Sequence, residues 1–96
     1  MIYSFKDLAT EDLFHGRKSR RVLKFPNQIL RVALRKLDML NTAAALKDLK
    51  VPPANRLEAL QGDLKDFYSI RVNDQWRVTF KWEDRGPSEV RLMDYH

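Results

Sequence analysis

The sequence predicts an α+β fold, an antiparallel sheet with two N-terminal helices packed on one face. Apolar residues recur at helical spacing between residues 25 and 43, whereas they recur at every second position after Phe67. Helices that precede a run of strands along the chain are typical of this class. The 96 residues contain no repeat, low-complexity segment or linker, so we expect a single domain, residues 1–96.

The first two elements are short. Residues 2–5, IYSF, alternate and contain β-forming side chains, which predicts a short strand. Residues 7–14 predict a short helix that Asp7 or Thr10 caps and that Gly16 ends. Its expected buried residues are Leu8, Leu13 and Phe14. A basic connection, GRKSRR at 16–21, then leads to the second helix.

The clearest helix lies within residues 25–43, FPNQILRVALRKLDMLNTA. Pro26 stands near its start, where a missing N–H group costs nothing. An apolar stripe at helical spacing comprises Ile29, Leu30, Ala33, Leu34, Leu37 and Leu40. The basic residues fall mostly off this stripe, so we expect an exposed basic face that carries Arg31, Arg35 and Lys36.

The second half of the chain predicts a loop region followed by a three-stranded meander. Residues 44–49 can form one or two turns, and Val51-Pro52-Pro53 must be extended because a residue before proline avoids the α region. Residues 55–63 are expected to be a loop or an edge strand, closed by Gly62. The runs FYSIRV and QWRVTFKW then flank Asn73-Asp74, which is a hairpin signal, and EDRGP at 83–87 turns the chain into the last strand, SEVRLMDY.

Alternation on these strands separates an apolar face from an open face. The apolar set on the middle strand, which we expect to meet the helices, is Trp76, Val78, Phe80 and Trp82. On the open face we expect Arg71 and Arg77 close together. Either an anion such as phosphate lies between them, or each is solvated or paired with Asp74 and Glu83.

The last strand adds Arg91 and Tyr95 to the open face, whereas Asp94 and His96 at its end could turn either way. Guanidinium groups bind phosphates, and Tyr and His rings stack on bases. The open face is therefore expected to have the chemistry of an RNA-binding surface.

Composition narrows the possible partners. The formal net charge is +5 and the pI is near 9.7, which favours a nucleic acid, an acidic protein or a membrane surface, unless the lysines are simply solvated. There is no cysteine, metal-ligand spacing, glycine-rich phosphate loop or nucleophile motif, so we expect neither a metal nor another cofactor. No apolar run approaches the ~20 residues of a membrane helix. Charges come too early for a signal peptide, so we expect a cytoplasmic protein without membrane contact.

Four segments together resemble the HigB-type toxins of the RelE superfamily. They are MIYSF at the start, RLEALQGD at 56–63, YSIRVNDQWRVTF at 68–80 and DYH at the end, so that the resemblance spans nearly the whole chain. RLEAL preceded by PPANR is similar to the GraT-like branch. The resemblance implies the RelE-like microbial ribonuclease fold and a ribosome-dependent endoribonuclease that cuts mRNA in the A site and stops translation. It also implies a HigA-like antitoxin with a helix-turn-helix domain, through which alone the toxin reaches operator DNA.

The mechanism that such toxins use needs no metal. The ribose 2′-OH attacks the adjacent phosphate, so the reaction needs a base, a cation for the phosphorane charge and an acid for the leaving 5′-oxygen. By resemblance, Arg77 stabilises the phosphate, and Tyr95 and His96 match the terminal Tyr and His of the family. Asp94 matches the aspartate before them, which orients the His or acts on the nucleophile.

Two positions depart from the pattern of many HigB-type toxins. Where those read LHPLKGD, this chain reads LEALQGD, so Glu58 replaces a His and Gln61 replaces a Lys. Glu58 could serve as the base, or it could bridge to Arg56 or Arg77. Gln61 offers a hydrogen bond without charge, and Lys65 could supply the missing charge. The departures keep open an alternative function, a catalytically weak or inactive ribosome- or RNA-binding module that an antitoxin neutralises.

Basic groups outside this site are expected to contact the backbone of ribosomal RNA. They are Arg31, Arg35 and Lys36 on the second helix, and Arg17, Lys18, Arg20 and Arg21 in the connection before it. Contacts of this kind are mostly electrostatic and weaken with salt.

Overall fold

The computed structural model describes residues 1–95 as two α-helices and one antiparallel sheet. The helices are Leu8–Phe14 (α1) and Leu30–Thr42 (α2). The strands are Glu58–Ala59 (β1), Tyr68–Arg71 (β2), Trp76–Glu83 (β3) and Gly86–Asp94 (β4), and they neighbour one another in the order β1-β2-β3-β4. The α+β prediction is therefore confirmed, with the predicted edge strand present as β1.

The predicted N-terminal strand is present only as a bridge. Phe5 pairs with Val90 in a parallel bridge, and backbone hydrogen bonds join Tyr3 N to Pro87 O (2.8 Å) and Lys6 N to Val90 O (2.9 Å). The segment thus lies along the outer edge of β4. Its backbone groups cover part of an edge that would otherwise be exposed for pairing with another chain.

Helix α1 is capped as predicted, but its buried face differs from the prediction. The Asp7 carboxylate accepts a hydrogen bond from Thr10 N at 2.9 Å, and the Thr10 hydroxyl accepts one from Leu92 N at 2.9 Å. This contact turns Ala9, Thr10 and Leu13 towards β4. Leu8, which lies about 100° round the helix from Ala9, is 56% exposed, so the prediction that it is buried is wrong.

A buried carboxylate joins α1 to the basic connection. Asp12 accepts hydrogen bonds from Ser19 Oγ (2.7 Å) and Arg21 Nε (2.9 Å), and Arg17 Nη1 lies 3.4 Å away. The hydrogen bond from Ser19, with those from the two arginines, lowers the pKa of Asp12 although its burial acts in the opposite direction. Both arginine side chains remain more than half exposed, so they can still meet an anion.

Helix α2 covers the apolar face of the sheet. The predicted stripe is buried at Ala33, Leu37 and Leu40 of α2 and at Ile29 in the turn before it, and partly buried at Leu30 and Leu34. It packs against the buried strand residues Ile70, Val78, Phe80, Val90 and Leu92. Trp76 and Trp82 are partly buried against the same core, as the alternation on β3 predicts. Arg31 and Arg35 are exposed on the opposite side of the helix.

Lys36 is buried, so the prediction that it lies on the exposed basic face is wrong. Its ammonium group donates to Asn55 Oδ1, and Asn55 Nδ2 donates to Leu49 O at 3.1 Å. Burial, together with the charge of Arg35, lowers the pKa of Lys36. The segment between Leu49 and Asn55 folds back over this flank of α2, which the periodicity of the helix cannot reveal. Lys36 is therefore unavailable for RNA in this fold.

The contact between Lys36 and Asn55 gives a stability prediction. Asn55→Ala removes the acceptor of a buried ammonium group and leaves Leu49 O without its donor, so we expect the free energy of unfolding to fall by about 2–3 kcal/mol. Denaturant unfolding measures this loss. Asn27→Ala, at an exposed asparagine, is the control and should change stability by less than about 0.5 kcal/mol. Equal effects of the two substitutions would show that the buried hydrogen bonds contribute nothing.

The loop before β1 and the turn after β2 determine which residues border the open face of the sheet. Val51 and Pro52 are extended as predicted, but the prediction that Pro53 is extended is wrong, because Pro53 begins a 3₁₀ turn, Pro53–Asn55, and no proline follows it to exclude that conformation. Strand β1 pairs with β2 through Glu58 opposite Ser69. The hairpin after β2 is longer than the predicted two residues, because residues 72–75 separate the strands. Asn73 Oδ1 accepts hydrogen bonds from two backbone N–H groups of this turn, those of residues 75 and 76. Within residues 1–95, no helix is long and apolar enough to cross a bilayer.

Candidate active site on the open face of the sheet

Arg77 is fixed on the open face by three oxygen atoms. Its Nη1 donates to Ser69 Oγ at 2.6 Å and to the backbone oxygen of Arg56 at 3.3 Å, and its Nη2 donates to Glu58 Oε1 at 3.1 Å. The side chain is only 12% exposed. Its Nε–H and second Nη2–H make no hydrogen bond to residues 1–95, so the guanidinium group is held rigidly with donors left for an anion.

The two arginines of the hairpin lie directly opposite one another, and each has its own carboxylate. Arg71 pairs with Arg77 in the register of β2 and β3. Arg71 forms an ion pair with Asp74, whereas Arg77 pairs with Glu58. Glu83, the other carboxylate considered from the sequence, instead accepts a hydrogen bond from Ser88 Oγ at 3.0 Å. Pairing with carboxylates therefore balances the repulsion between the two guanidinium groups.

Tyr95 lies over the guanidinium group of Arg77. Its ring centroid is 5.9 Å from Arg77 Cζ, and its backbone N–H donates to Gln75 O at 2.7 Å, which continues the pairing of β3 and β4 beyond Asp94. The Asp94 carboxylate accepts a hydrogen bond from Gln75 Nε2 at 2.9 Å. His96 lies outside the described residues, so its role stays a prediction.

The other residues expected to bind RNA make no contact with the Arg77 side chain within residues 1–95. Gln61 and Lys65 are exposed in the loop between β1 and β2, at the Phe67 end of the sheet, about 13 Å along β2 from the Arg71–Arg77 pair. The structure therefore does not bring Lys65 to Arg77. Arg91 lies opposite Thr79 in the register of β3 and β4, so it is on the predicted open face, and its Nε lies 3.4 Å from Asp7 Oδ2. Two further arginines, at positions 31 and 35, lie on α2, which covers the opposite face of the sheet.

Three supporting groups were not singled out from the sequence. Ser69 and the carbonyl of Arg56 hold Arg77, and Gln75 holds Asp94. Ser69 alternates with Arg71 on the predicted open face, so a register for the hairpin would have revealed it. Arg56 has a left-handed backbone (φ 47°) just before β1, and no sequence pattern announces its carbonyl as an acceptor.

Ser69 is expected to act as a positioning residue. Ser69→Ala removes the 2.6 Å hydrogen bond to Arg77 Nη1 but almost no volume, so an activity that depends on Arg77 should fall roughly tenfold or more while the unfolding midpoint changes little. Ser69→Thr keeps the hydroxyl and should restore the activity. Ser88→Ala is the matched control, because Ser88 is also buried on a strand but bonds to Glu83. Similar activity losses at the two serines would contradict the positioning role.

The arrangement combines a cation, a carboxylate and a phenol around one point of the sheet. A guanidinium group can hold a phosphate and the charge that develops on it, and a carboxylate beside it can accept a proton. A phenol can donate one. The set suits transfer of a phosphoryl group between oxygens of a nucleic acid.

Comparisons with known proteins agree with this fold. The family model described as "RelE-like toxin of type II toxin-antitoxin system HigB" matches residues 3–96. The chain is 43% identical over 96 residues to Toxin HigB-1 of Vibrio cholerae, which covers 100% of this chain and 98% of that relative. It is also 44% identical over 69 residues to an uncharacterised protein of Haemophilus influenzae, covering 72% of this chain and 68% of that relative.

A solved structure has the same fold at low sequence identity. The YoeB–YefM complex from Staphylococcus aureus contains a chain that matches with a TM-score of 0.60 and 18% identity, covering 100% of this chain and 98% of that one. The match supports the RelE-like architecture predicted from the sequence. The narrower prediction of a GraT-like branch stays a prediction.

Proposed function

We propose that this chain, which belongs to the HigB-like family of RelE-like toxins of type II toxin–antitoxin systems, is a ribosome-dependent endoribonuclease that cleaves mRNA in the A site. The observation that carries the proposal is the anchoring of Arg77. A guanidinium group that three oxygens hold, 12% exposed and with donors still available, is a preorganised site for a phosphate.

The proposed reaction is a transesterification within the RNA strand. Glu58, whose carboxylate lies 3.1 Å from Arg77 Nη2, takes the proton of a ribose 2′-OH. The 2′-oxygen forms a bond to the adjacent phosphorus, the bond from phosphorus to the 5′-oxygen breaks, and an acid protonates that oxygen. The products are a 2′,3′-cyclic phosphate and a free 5′-OH. Bond making and bond breaking balance without an added water, metal or oxidant.

The remaining residues take supporting roles in this proposal. Arg77 stabilises the phosphorane charge, and Tyr95 contacts the phosphate or acts as the acid, a role supported by the 5.9 Å between its ring centroid and Arg77 Cζ. Asp94 and His96 complete the set by resemblance to the family. Arg71, on the same face, holds a neighbouring phosphate by its charge.

The proposed partners follow from family membership. We expect an antitoxin, HigA-like and with a helix-turn-helix domain, to neutralise the protein and to be its link to operator DNA. The solved neighbour with this fold is itself part of a complex, YoeB–YefM. The ribosome, mRNA and a cytoplasmic location belong to the same proposal, to which the net charge of +5 adds support because it favours binding to RNA.

The test uses a ribosome programmed with a defined mRNA and an empty A site. Untagged protein is added without metal, and new RNA ends are mapped and their termini identified. Cleavage within the A-site codon, leaving a cyclic phosphate and a 5′-OH, is the expected result. Ribosome binding without new ends at enzyme excess and long times would overturn the nuclease proposal.

A second candidate function has one observation in its favour. The Glu58 carboxylate is already paired with Arg77, so in the absence of RNA it occupies part of the space that a phosphate would take. If RNA does not displace it, the protein is a basic ribosome- or RNA-binding module without effective chemistry. Tight binding with unchanged RNA ends distinguishes this module from the nuclease.

A further inference from the structure

A second group of basic residues lies on the open face, at the opposite end of the sheet from Arg77. The ammonium groups of Lys6 and Lys81 lie 4.9 and 5.2 Å from the ring centroid of Phe67. The two ammonium groups are therefore within about 10 Å of each other. This separation is no longer than about one Debye length at 0.1 M salt, so the two charges still repel. Chain segments far apart in sequence thus converge on one aromatic ring.

The charges at this ring are not balanced. Glu89 Oε2 lies 3.2 Å from Lys81 Nζ and offsets one positive charge. Among residues 1–95, Lys6 has no carboxylate within ion-pair distance. The ring of Phe67 attracts both ammonium groups through its electron-rich faces, but it carries no negative charge. The two ammonium groups and the one carboxylate leave a net charge of about +1 at this ring, and the ammonium groups repel each other.

The geometry selects an anion rather than a base as the ligand. Phe67 is only 6% exposed, so its ring cannot serve as a stacking platform for a nucleobase. Lys6 is exposed and the Lys81 side chain is 37% exposed, so both ammonium groups can reach a ligand in solvent. A phosphate between them would supply the missing negative charge and accept their hydrogen bonds.

The position of the pair relates it to the proposed active site. Lys81 is the fourth residue after Arg77 on β3 and points to the same face, so the two lie about 13 Å apart along the strand. Thr79, between them on this face, is buried and does not project into the path. An extended strand of a few nucleotides can cover such a distance along a positively charged surface.

We propose that Lys6 and Lys81, whose ammonium groups lie over Phe67, form a second phosphate-binding site for the mRNA that continues past the scissile phosphate bound by Arg77. This inference rests on the proposed nuclease function and deepens it, because it gives the strand a course along β3. The same phosphate chemistry could also come from ribosomal RNA, and the experiment separates the two sources by the length of the mRNA.

The experiment measures binding to programmed ribosomes as a function of salt. One mRNA ends at the A-site codon and the other continues past it, and both carry a 2′-deoxyribose at the scissile position so that they are not cleaved. The variant is Lys6→Gln with Lys81→Gln, and Lys6→Arg with Lys81→Arg is the rescue. The matched control replaces Lys47 and Lys50 by Gln, because both are exposed and lie in the segment 46–50 outside the sheet.

The expected result is a weakening of binding that depends on the long mRNA. On it, the slope of log Kd against log salt should fall by roughly 0.7 for each phosphate that the variant no longer neutralises, whereas on the short mRNA it should not change. The arginine pair should restore the slope, and the control should not distinguish the two mRNAs. An equal weakening on both mRNAs, which indicates ribosomal RNA, or no weakening on either would overturn the proposal.

A parallel measurement keeps this inference separate from the proposed function. The cleavage rate of Arg77→Ala is determined on an all-ribose mRNA in the same preparation of ribosomes. Undiminished cleavage by that variant would count against the proposed active site itself. Reduced cleavage by Arg77→Ala, together with unchanged binding by the lysine variant, would count against the second phosphate site alone.

Discussion

Arg77→Ala is expected to reduce cleavage of mRNA in the A site by roughly 10²–10³-fold. The substitution removes the group that would stabilise the phosphorane charge. Within residues 1–95, no other cation bonds to Ser69 Oγ or to the Glu58 carboxylate and could take its place. The rate is measured as the appearance of new RNA ends in single turnover on a programmed ribosome. The substitution also leaves the buried Ser69 hydroxyl without its donor, so stability should fall by about 1–3 kcal/mol, and the rate is measured under conditions where unfolding data show that the variant is folded.

Arg71→Ala is the matched control for this prediction. Arg71 lies opposite Arg77 in the sheet and also pairs with a carboxylate, Asp74. Its removal should weaken binding and lower the salt dependence of binding, but it should leave the single-turnover rate at saturation nearly unchanged. Arg77→Lys should recover only part of the rate, because an ammonium group cannot reproduce the planar fork that bonds to Ser69 and Glu58 together. Equal rate losses at the two arginines would contradict the special role of Arg77.

The two faces of the sheet were predicted most accurately, because apolar and polar residues alternate with a period of two along its strands. Val78 and Phe80 are buried on one face while Arg77 lies on the other, as alternation requires. The helix pattern was accurate for the buried stripe but not for its borders. The predicted exposure of Lys36 was wrong because a segment distant in sequence, ending at Asn55, covers that flank of α2. The predicted burial of Leu8 was wrong because a hydrogen bond between Thr10 and β4 sets the rotation of α1.

The candidate site divides in the same way. Strand alternation predicted Arg77 and Tyr95 on one face, and in the structure Arg77 Cζ lies 5.9 Å from the ring centroid of Tyr95. The sequence left a bridge from Glu58 to Arg77 as one alternative among several, and the structure shows this bridge. The choice depends on the register of β1 beside β2, and a two-residue strand carries too little pattern to fix that register. The anchoring by the Arg56 carbonyl depends on a left-handed residue that is not glycine, so no residue type signals it.

Glu58→Gln is expected to lower the single-turnover cleavage rate by roughly 10²–10⁴-fold without weakening binding. Glutamine has nearly the same shape and can still accept a hydrogen bond from Arg77, but it cannot take the proton of the 2′-OH. Binding should become somewhat tighter, because the phosphate then no longer competes with a carboxylate for Arg77 Nη2, 3.1 Å away. Rates at saturating protein and the half-saturating concentration are measured separately on the programmed ribosome.

The control for Glu58→Gln is Asp74→Asn, which removes the charge from the other carboxylate that pairs with an arginine of this hairpin. If both carboxylates serve only to balance arginines, the two variants should behave alike, with tighter binding and an undiminished rate. If Glu58 is instead the general base, the two variants differ, because only Glu58→Gln then combines tighter binding with a slower cleavage rate. The Glu58 side chain is half exposed, so it can leave Arg77 when a phosphate arrives and remain beside the ribose. An undiminished rate for Glu58→Gln would assign the base to Tyr95, Asp94 or His96 and leave Glu58 as the counter-ion of Arg77.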